Sequence, residues 1–274
     1  MLLGRKTQRR VVYTCMFGYS EAFNDFAYER DAITDFICFT DDPELRSSFW
    51  NMRVVSRGLL DPPRASKRIK HLPHRFLSNY GLSLYLDNTV RLQRSPAEIF
   101  TKIGEAPIVC FRHPWRNCVY DEGEEIIANK MDDPRRIEDQ MSLYRRVGYP
   151  PHNGLTAGTV RLRRHMDERL IAASEMCFEQ LLRFSMRDQL SFDVAAWLNG
   201  LTIDYFAGDL STNDLIQWPV VNGPRVPRNF DDDAYLQQNP GVQCDPRLHF
   251  LRSTAGGDGM SECTKHASAR PAAE

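Results

Sequence analysis

Short runs of β-branched and aromatic residues alternate with longer amphipathic segments along most of this chain. The runs at 11–17, 35–39, 82–86 and 107–111 are almost wholly apolar, as strands buried on both faces of a sheet are. The clearest helical periodicity lies at 165–184. Because strands that alternate with helices pair in parallel, the pattern predicts an α/β fold with a mostly parallel sheet flanked by helices.

The periodic pattern ends near residue 209. Residues 210–274 are rich in Pro, Gly, Asn and Asp, and about the last 20 of them carry no apolar pattern. Such segments bury too little apolar surface to become ordered. We therefore predict a single domain over residues 1–209, then an irregular C-terminal extension over 210–274 whose last 20 or so residues are disordered.

The charge balance argues against a polyanionic partner. Lys and Arg number 35 against 36 Asp and Glu, for a net charge of -1, whereas nucleic-acid binders usually carry a basic excess. Of the 35 basic residues 29 are Arg. This bias is typical of a GC-rich genome, but the planar guanidinium is also suited to gripping phosphate or carboxylate.

The cysteine pattern and the hydropathy indicate a cytoplasmic protein. The seven Cys include no C-x-x-C pair, so neither a disulfide framework nor a zinc ribbon is expected. No apolar stretch is long enough for a membrane span, and the N-terminus lacks the apolar region of a secretory signal. Peripheral contact with a membrane stays open.

Polar residues follow each predicted strand, where open α/β sheets bind their ligands. Turns are polar in any case, but together these side chains could hold an anionic ligand. Asp87 could also bind a divalent cation that carries a diphosphate. The candidates are Tyr19 after the first strand, Asp41 and Asp42 after the second, Asp87 and Asn88 after 82–86, and Arg112 and His113 after 107–111.

The densest basic cluster lies on a helix predicted over 66–80, in which Pro73 marks a kink or a restart. Helical spacing places four of its members near one face, where they could neutralise phosphates or form a solvated surface. A zinc site at His71 and His74 is a third reading. The cluster comprises Lys67, Arg68, Lys70, His71, His74 and Arg75.

Asp188 has two interpretations. Ser185-Met186-Arg187-Asp188 has the spacing of a capping box and precedes a helix predicted to reach about residue 199. Spacing alone favours the cap, although the carboxylate could equally face a bound sugar. The chain contains no G-x-G-x-x-G, G-x-x-x-x-G-K-[ST], G-x-S-x-G or H-E-x-x-H motif, which argues against dehydrogenases, P-loop enzymes, α/β-hydrolases and zincins.

Six segments, taken in order, resemble a glycosyltransferase-like family once known only as a domain of unknown function, with plant mucilage-related and bacterial polysaccharide-locus members. The resemblance covers roughly residues 11–205. Its most specific blocks are K-x-x-K-x-x-P-H and R-D-Q-L-S-F. The segments are VYTCMFGYSEAF, DFICFTDD, SKRIKHLPHRFLSNYGLSLYLDNTVRL, FRHPWRNCVYDEGE, GLTAGTVRLRRH and SMRDQLSFDVAAW.

The resemblance implies a GT-A-like, Rossmann-type fold and a nucleotide-sugar donor. Related hexosyltransferases hold Mn²⁺ or Mg²⁺ with an Asp-x-Asp, where this chain has Asp87-Asn88-Thr89 without the second carboxylate, and often with a late His, matched loosely by His249. Their D-Q pair beside the donor sugar corresponds to Asp188 and Gln189, and their donor-sugar loop corresponds to residues 153–159.

The expected function is therefore a glycosyltransferase that moves a sugar from a nucleotide-diphospho-sugar to a glycan or glycolipid in surface polysaccharide synthesis. Retention of configuration is favoured through the resemblance. The first strand end and Asp41-Asp42 would bind the nucleotide. The charge of the departing diphosphate would be offset by Lys67, Lys70, Arg75 and Asp87 with any metal. Asp188 would orient or stabilise the reacting sugar. Two alternatives stay open: a non-catalytic nucleotide-sugar or carbohydrate-binding module, and a metal-dependent hydrolase using His71, His74 and His113.

Overall fold

The computed structural model describes residues 9–221, 223–227 and 229–254. The segment predicted to be disordered, about the last 20 residues, lies outside the described residues.

A seven-stranded mixed sheet forms the centre of the fold, in the order β3-β2-β1-β4-β7-β6-β8. Only β7 runs against its neighbours, pairing antiparallel with β4 and β6, while the other pairings are parallel. The predicted α/β class with a mostly parallel sheet is thus confirmed. The strands are β1 (Arg10–Met16), β2 (Thr34–Thr40), β3 (Asn51–Val54), β4 (Leu82–Leu86), β6 (Ile108–Arg112), β7 (Thr156–Arg163) and β8 (Asp204–Asp209). 

Strand direction decides which residues meet at one edge of the sheet. The carboxyl ends of β1, β2, β4 and β6 share an edge, and the antiparallel β7 brings its amino end there. We call it the ligand edge, because open α/β sheets bind their ligands at the carboxyl ends of their strands. The backbone N–H of Asp87, just past β4, donates to the carbonyl of Thr159 in β7 at 2.9 Å. Residues following β4 and residues early in β7 are therefore close neighbours. A separate two-stranded sheet pairs β5 (Arg91–Leu92) with β9 (Ile216–Gln217).

Helices flank the sheet. Ser95 caps the helix that begins at Pro96, because its side chain accepts from the N–H of Glu98. Helix α1 begins after Asp61, whose carboxylate caps it. The helices are α1 (Pro62–His71), α2 (Pro73–Phe76), α3 (Pro96–Phe100), α4 (Val119–Ala128), α5 (Pro134–Arg146), α6 (Glu168–Arg183), α7 (Phe192–Leu198), α8 (Asp232–Gln238) and α9 (Pro246–Thr254).

Two buried clusters hold helices to the sheet. One packs Ile69 of α1 against the strand residues Tyr13 and Ile37. The other packs Leu181 of α6 against Ile108 of β6. These side chains are at most 2% exposed, and burying a large apolar side chain stabilises a fold by about 1.5–3 kcal/mol. The first cluster thereby holds helix α1 against the sheet beside β1.

The described chain separates into two compact units. The first comprises residues up to Phe17 and Asp25–Val220, so it runs past residue 209, the predicted end of the domain. The second comprises Gly18–Asn24 and the residues from Val221 onward. Within it, the ring centroids of Phe230, just before α8, and Phe250, in α9, lie 5.3 Å apart. These two helices fall in the extension predicted to be irregular.

The cysteines follow the prediction only in part. Cys15, Cys38 and Cys110 are free and buried in strands, as their apolar surroundings indicate. Cys244 is disulfide-bonded, so the expectation of a chain without disulfides is wrong there. The cytoplasmic location stays a prediction, and the cysteine pattern no longer supports it.

Candidate functional site

A buried carboxylate bound by four basic side chains lies below the ligand edge of the sheet. The side chain of Asp188 is 2% exposed. Its Oδ1 accepts from Lys67 Nζ at 2.6 Å, and its Oδ2 lies 2.8 Å from Lys70 Nζ. The same Oδ2 lies 3.2 Å from His71 Nε2 and 3.3 Å from an Arg161 guanidinium nitrogen. We call these five residues the Asp188 cluster.

Helix α1 supplies three members of this cluster because their spacing puts them on one face. Lys67, Lys70 and His71 stand at i, i+3 and i+4, which are neighbouring positions on a helix. Asp61 fixes where the helix starts by accepting from the N–H of Arg64 at 2.8 Å. The cap and the buried Ile69 together set which face of α1 meets Asp188.

The cluster strongly stabilises the ionised carboxylate. Burial alone would raise the pKa of Asp188, but Lys67 and Lys70 hold that pKa well below its ordinary value. Burial would lower the pKa of Lys67, yet the carboxylates of Asp188 and Asp87 raise it above its ordinary value. Burial lowers the pKa of Lys70, against the opposing pull of the same two carboxylates. The carboxylate of Asp188 is thus an anion throughout the physiological range.

His71 joins the cluster as a neutral ring. Burial, followed by the Arg161 guanidinium, lowers the pKa of His71 well below its ordinary value. Arg161 donates to His71 Nδ1 at 3.4 Å, so the ring proton resides on Nε2 and is donated to Asp188. Arg161 also stacks on Phe192, with its guanidinium carbon 4.1 Å from the ring centroid. The formal charges are therefore those of Lys67, Lys70 and Arg161 around one carboxylate.

Gly158 of β7 lets the backbone approach this carboxylate. A Cβ at this position would lie 2.8 Å from Asp188 Oδ2, 3.1 Å from Lys70 Nζ and 3.2 Å from an Arg161 nitrogen. All three distances are shorter than ordinary van der Waals contact distances. The resemblance matches residues 153–159 to a donor-sugar loop, but the space beside Gly158 is filled by side chains of the Asp188 cluster.

Asp87 extends the cluster toward solvent. Its Oδ1 accepts from the Tyr85 hydroxyl at 2.7 Å and lies 3.5 Å from Lys70 Nζ. Its side chain is 33% exposed, and that of Lys67 is 23% exposed, whereas Lys70 and Asp188 are sealed at 2%. Lys70 therefore links the two carboxylates, and Lys67 and Asp87 form the accessible side of the site. Asn88 follows, half-buried.

Asp188 is not a helix cap. Residues Asp188–Leu190 form a short 3-10 turn with no side-chain cap, and α7 begins only at Phe192. The Ser185 hydroxyl accepts from the N–H of Arg187 at 3.1 Å and donates to Asp132 at 2.7 Å. The capping box that the spacing favoured is therefore wrong, because both Asp188 oxygens are engaged by cations. Gln189, its neighbour, is half-buried.

His74 and Arg75 lie apart from the Asp188 cluster. Helix α1 ends at His71, and Pro73 starts the separate helix α2, so the face defined by Lys67 and Lys70 does not continue. His74 Nε2 lies 2.7 Å from Glu175 of α6, and Arg75 Nε donates to the same carboxylate at 2.8 Å. Their predicted contact with a nucleotide stays a prediction.

The remaining strand-end candidates have partners of their own. The carboxylate of Asp41 lies 2.6 Å from Arg57 Nε, and Asp42 accepts from the N–H of Glu44 at 2.8 Å in a tight turn. The Arg112 guanidinium carbon lies 3.9 Å from the centroid of the Tyr205 ring.

His113 also lies at this edge. Its Nε2 is 3.8 Å from Glu122 Oε2, and burial lowers its pKa although Glu122 opposes the shift. His71, His74 and His113 thus each face a different carboxylate, and within the described residues they do not form one metal-ligand cluster. That arrangement removes the geometric basis for the hydrolase alternative.

Two predicted residues belong to the second unit. Tyr19 lies in Gly18–Asn24, and His249 lies in α9, where its Nδ1 is 2.8 Å from the Tyr235 hydroxyl. Asp87 belongs to the first unit. A nucleotide contact at Tyr19 and a metal site shared by Asp87 and His249 stay predictions.

The residues around Asp87 do not fit a dedicated divalent-cation site. Mg²⁺ is usually bound through one or two carboxylates together with waters and substrate phosphates, and Mn²⁺ also prefers oxygen ligands. Here the one exposed carboxylate has an ammonium group 3.5 Å away, at Lys70. The other nearby carboxylate, Asp188, is sealed and fully engaged by cations. The positive charge beside Asp87 is therefore supplied by Lys70.

Two buried arginines were missed by the sequence reasoning. Arg161 and Arg163 alternate with Val160 and Leu162 in a strand that is buried at every position. Arg163 donates to the carbonyl of Lys70 at 2.8 Å and also bonds the Tyr13 hydroxyl. A guanidinium in a buried strand needs such partners, so the sequence TVRLR did hold a signal, namely two charges inside a strand with apolar neighbours.

Fold and side-chain geometry together define an α/β protein with a cluster of buried basic side chains around Asp188, near the carboxyl edge of a mostly parallel sheet. The chain belongs to the TOD1/MUCI70 glycosyltransferase-like domain family, whose model matches residues 4–205. The match includes every member of the Asp188 cluster. Membership of this glycosyltransferase-like family confirms the resemblance.

Solved glycosyltransferase structures share a distant likeness with the chain. The apo form of mouse xyloside xylosyltransferase 1 is 13% identical with a TM-score of 0.42, over 73% of this chain and 84% of that one. The apo bifunctional glycosyltransferase WbbM is 8% identical with a TM-score of 0.43, over 73% of this chain and 39% of that one. A search of curated proteins finds no match. Among the described residues, no helix has the length and apolarity needed to cross a bilayer.

Proposed function

We propose that this protein transfers a sugar from a nucleotide-diphospho-sugar to a glycan acceptor. The observation that carries the proposal is the Asp188 cluster at the ligand edge, with Lys67 and Asp87 on its accessible side. Counting Asp87, three cations face two carboxylates, which leaves one formal positive charge in a largely buried setting. Such a site favours a small anion rather than a neutral sugar alone.

In the proposed reaction, the positive charge of the site stabilises the nucleoside diphosphate as the leaving group. Negative charge builds on the diphosphate as its bond to the sugar breaks, and fixed cations stabilise that charge without having to reorganise. In this proposal the half-buried Lys67 contacts the diphosphate, and the buried Lys70 stabilises it electrostatically without contact. Asp188 is the positioning residue that holds both ammonium groups in place, at 2.6 and 2.8 Å.

Donor binding in this proposal does not require a divalent cation, because the lysines supply the charge. The open Oδ2 of Asp87 is then available to accept from a hydroxyl of the donor. Gln189 is half-buried whereas the side chain of Asp188 is 2% exposed, so in this proposal Gln189 is the member of the D-Q pair that contacts the donor sugar. Retention of configuration, a role in surface polysaccharide synthesis and a cytoplasmic location remain parts of the proposal that product analysis and localisation would test.

An acceptor sugar would stack on an aromatic pair at the same edge. Trp115 follows β6 and is 67% exposed, and its ring lies 6.3 Å from that of Trp218. The segment after Trp218 is tied to the turn after β4, since the N–H of Val220 donates to the Thr89 carbonyl at 2.8 Å. Exposed indole rings give sugars a flat apolar surface with a polar rim.

Calorimetry with UDP and GDP, each with and without Mn²⁺, tests the donor site. We expect either UDP or GDP to bind in buffer without divalent cations, with one nucleotide molecule per protein chain. Lys67→Met should weaken that binding at least about tenfold, the loss expected for one charged hydrogen bond. Lys102→Met removes an exposed lysine elsewhere and should leave it unchanged. Absence of binding for both nucleotides would refute the proposal.

Turnover separates the enzyme from a non-catalytic binding module. Donor consumption should be measured across a panel of nucleotide-sugars and glycan acceptors. Binding without turnover across the panel would favour the module, to which the missing second carboxylate also points. In the enzyme, Trp115→Ala should raise the acceptor KM while leaving nucleotide affinity unchanged. Trp197→Ala, an exposed indole on α7, is its matched control.

A further inference from the structure

Three ligand-type side chains converge away from the Asp188 cluster. Cys118 immediately precedes α4, Asp121 lies in the first turn of that helix, and His152 lies in the loop that leads to β7. Their thiol, carboxylate and imidazole ligand atoms all lie within 4.8 Å of one another. They line one open cavity of about 430 Å³, so an ion can reach them from solvent.

Each of the three groups is available to a ligand. The Cys118 thiol is free, and it makes no capping bond at the start of α4. The His152 ring uses Nδ1 for its contact with Asn117 Oδ1 at 3.0 Å. That contact leaves Nε2 with its lone pair, the arrangement in which a second residue orients a metal-binding histidine. Within the described residues, the exposed Asp121 carboxylate has no hydrogen-bond or ion-pair partner.

The backbone holds His152 in an unusual conformation. Its φ of 54° lies in the left-handed region, which non-glycine residues rarely occupy. The loop is tied to the α4 segment beside it, because the N–H of Gly154 donates to the Asn117 carbonyl at 3.0 Å. An uncommon backbone conformation retained at a convergence of polar groups is typical of functional sites.

We propose that Cys118, Asp121 and His152 bind a zinc ion. Thiolate, imidazole and carboxylate are all ligands of Zn²⁺, whereas a thiolate does not suit Mg²⁺ or Ca²⁺. The two charges of the ion balance one thiolate and one carboxylate. Three protein ligands leave the fourth tetrahedral position to water on the cavity side. Metal binding would draw the three ligand atoms slightly closer together.

The ion would fasten the loop before β7 to the start of α4. Strand β7 carries Gly158 and Arg161 of the ligand edge, so zinc would stabilise the segment that leads into the site. This proposal is independent of the donor-site assignment, since none of its three ligands belongs to the Asp188 cluster.

Titration of the metal-free full-length chain with Co²⁺ and Zn²⁺ tests the proposal. We expect one Co²⁺ per chain, with the near-ultraviolet charge-transfer band of a thiolate ligand, and displacement of that band by Zn²⁺. Cys118→Ser should abolish the band. Asp121→Asn and His152→Ala, both exposed positions, should each weaken Zn²⁺ binding at least about tenfold. Asp139→Asn, an exposed Asp on α5, should leave binding unchanged.

Two results would overturn the proposal. One is the absence of stoichiometric Co²⁺ or Zn²⁺ binding by the folded chain. The other is unchanged affinity in both Asp121→Asn and His152→Ala. If Cys118→Ser does not fold, these two exposed variants decide the question without it.

Discussion

Replacing Asp188 by Asn tests whether one carboxylate holds the buried cations in place. The substitution keeps the shape of the side chain and removes its charge. Lys70 and Arg161 are then left as uncompensated buried cations, at 2% and 1% side-chain exposure. Breaking a buried ion pair by removing one partner destabilises a protein by about 3–5 kcal/mol. We expect Asp188→Asn to lower the free energy of unfolding by that amount.

Urea unfolding measures this loss, with the m-value required to stay constant so that the change reports stability alone. Asp139→Asn is the matched control on an exposed helix surface, and its effect should stay within about 0.5 kcal/mol. Replacing Lys70 by Met in the Asp188→Asn background removes one orphaned charge. We expect this second change to recover about half of the loss, a non-additivity typical of contacting residues.

The opposite result has a clear form. A loss below about 1 kcal/mol for Asp188→Asn would show that the cations do not depend on this carboxylate. Strict additivity of the two substitutions would show that Lys70 and Asp188 are not coupled, against their 2.8 Å separation. Either outcome refutes the argument that Asp188 positions the lysines.

Gly158→Ala should lower the free energy of unfolding by about 1–3 kcal/mol through overpacking, because the new Cβ would lie 2.8 Å from Asp188 Oδ2. It should also weaken nucleotide binding. Urea unfolding and calorimetry measure the two effects, with Gly241→Ala as the control because an added Cβ there would meet no atom within 4 Å. His165, whose Nε2 donates to the Leu77 carbonyl, should make stability fall as the pH drops from 6.5 toward 4: burial lowers its folded-state pKa from 6.5 to about 4, so the unfolded chain binds the extra proton. The loss of stability over that window is about 3 kcal/mol at 1.36 kcal/mol per pH unit. In His165→Gln the free energy of unfolding should depend less on pH between 6.5 and 4. An unchanged pH dependence would contradict the assignment. Asp193→Ala should lower the free energy of unfolding by about 1–3 kcal/mol, because the N–H of Thr156 loses its 2.9 Å acceptor in a buried site, and a neutral effect in thermal unfolding would count against it.

Local patterns predicted the strands because each is a short apolar run that must be buried on both faces. The runs at 82–86 and 107–111 match β4 and β6 closely, and the Ser95 cap was readable from its spacing. Strand order was not readable, because pairing between β4 and β7 joins residues about 80 positions apart, and no local signal encodes it.

The site was predicted in its members but not in its pairings. Lys67, Lys70, Asp87 and Asp188 were all candidates, yet spacing favoured a cap for Asp188 because Ser185 stands three residues before it. Tertiary contact with α1 overrode that local option. His74 was predicted to share a helical face with Lys67 and Lys70, but α1 ends at His71 and Pro73 starts a separate helix. The sequence could not reveal which of the two buried faces of β7 carries Arg161, because successive side chains of a strand point to opposite faces.

The account's central claim is that the accessible side of the Asp188 cluster binds a nucleotide diphosphate. A crystal structure of the protein with UDP or GDP, whichever binds in calorimetry, tests this claim most directly. The account predicts the diphosphate at the carboxyl end of β4, with an oxygen within about 3.2 Å of Lys67 Nζ. A nucleotide bound elsewhere, with the Asp188 cluster untouched, would contradict it.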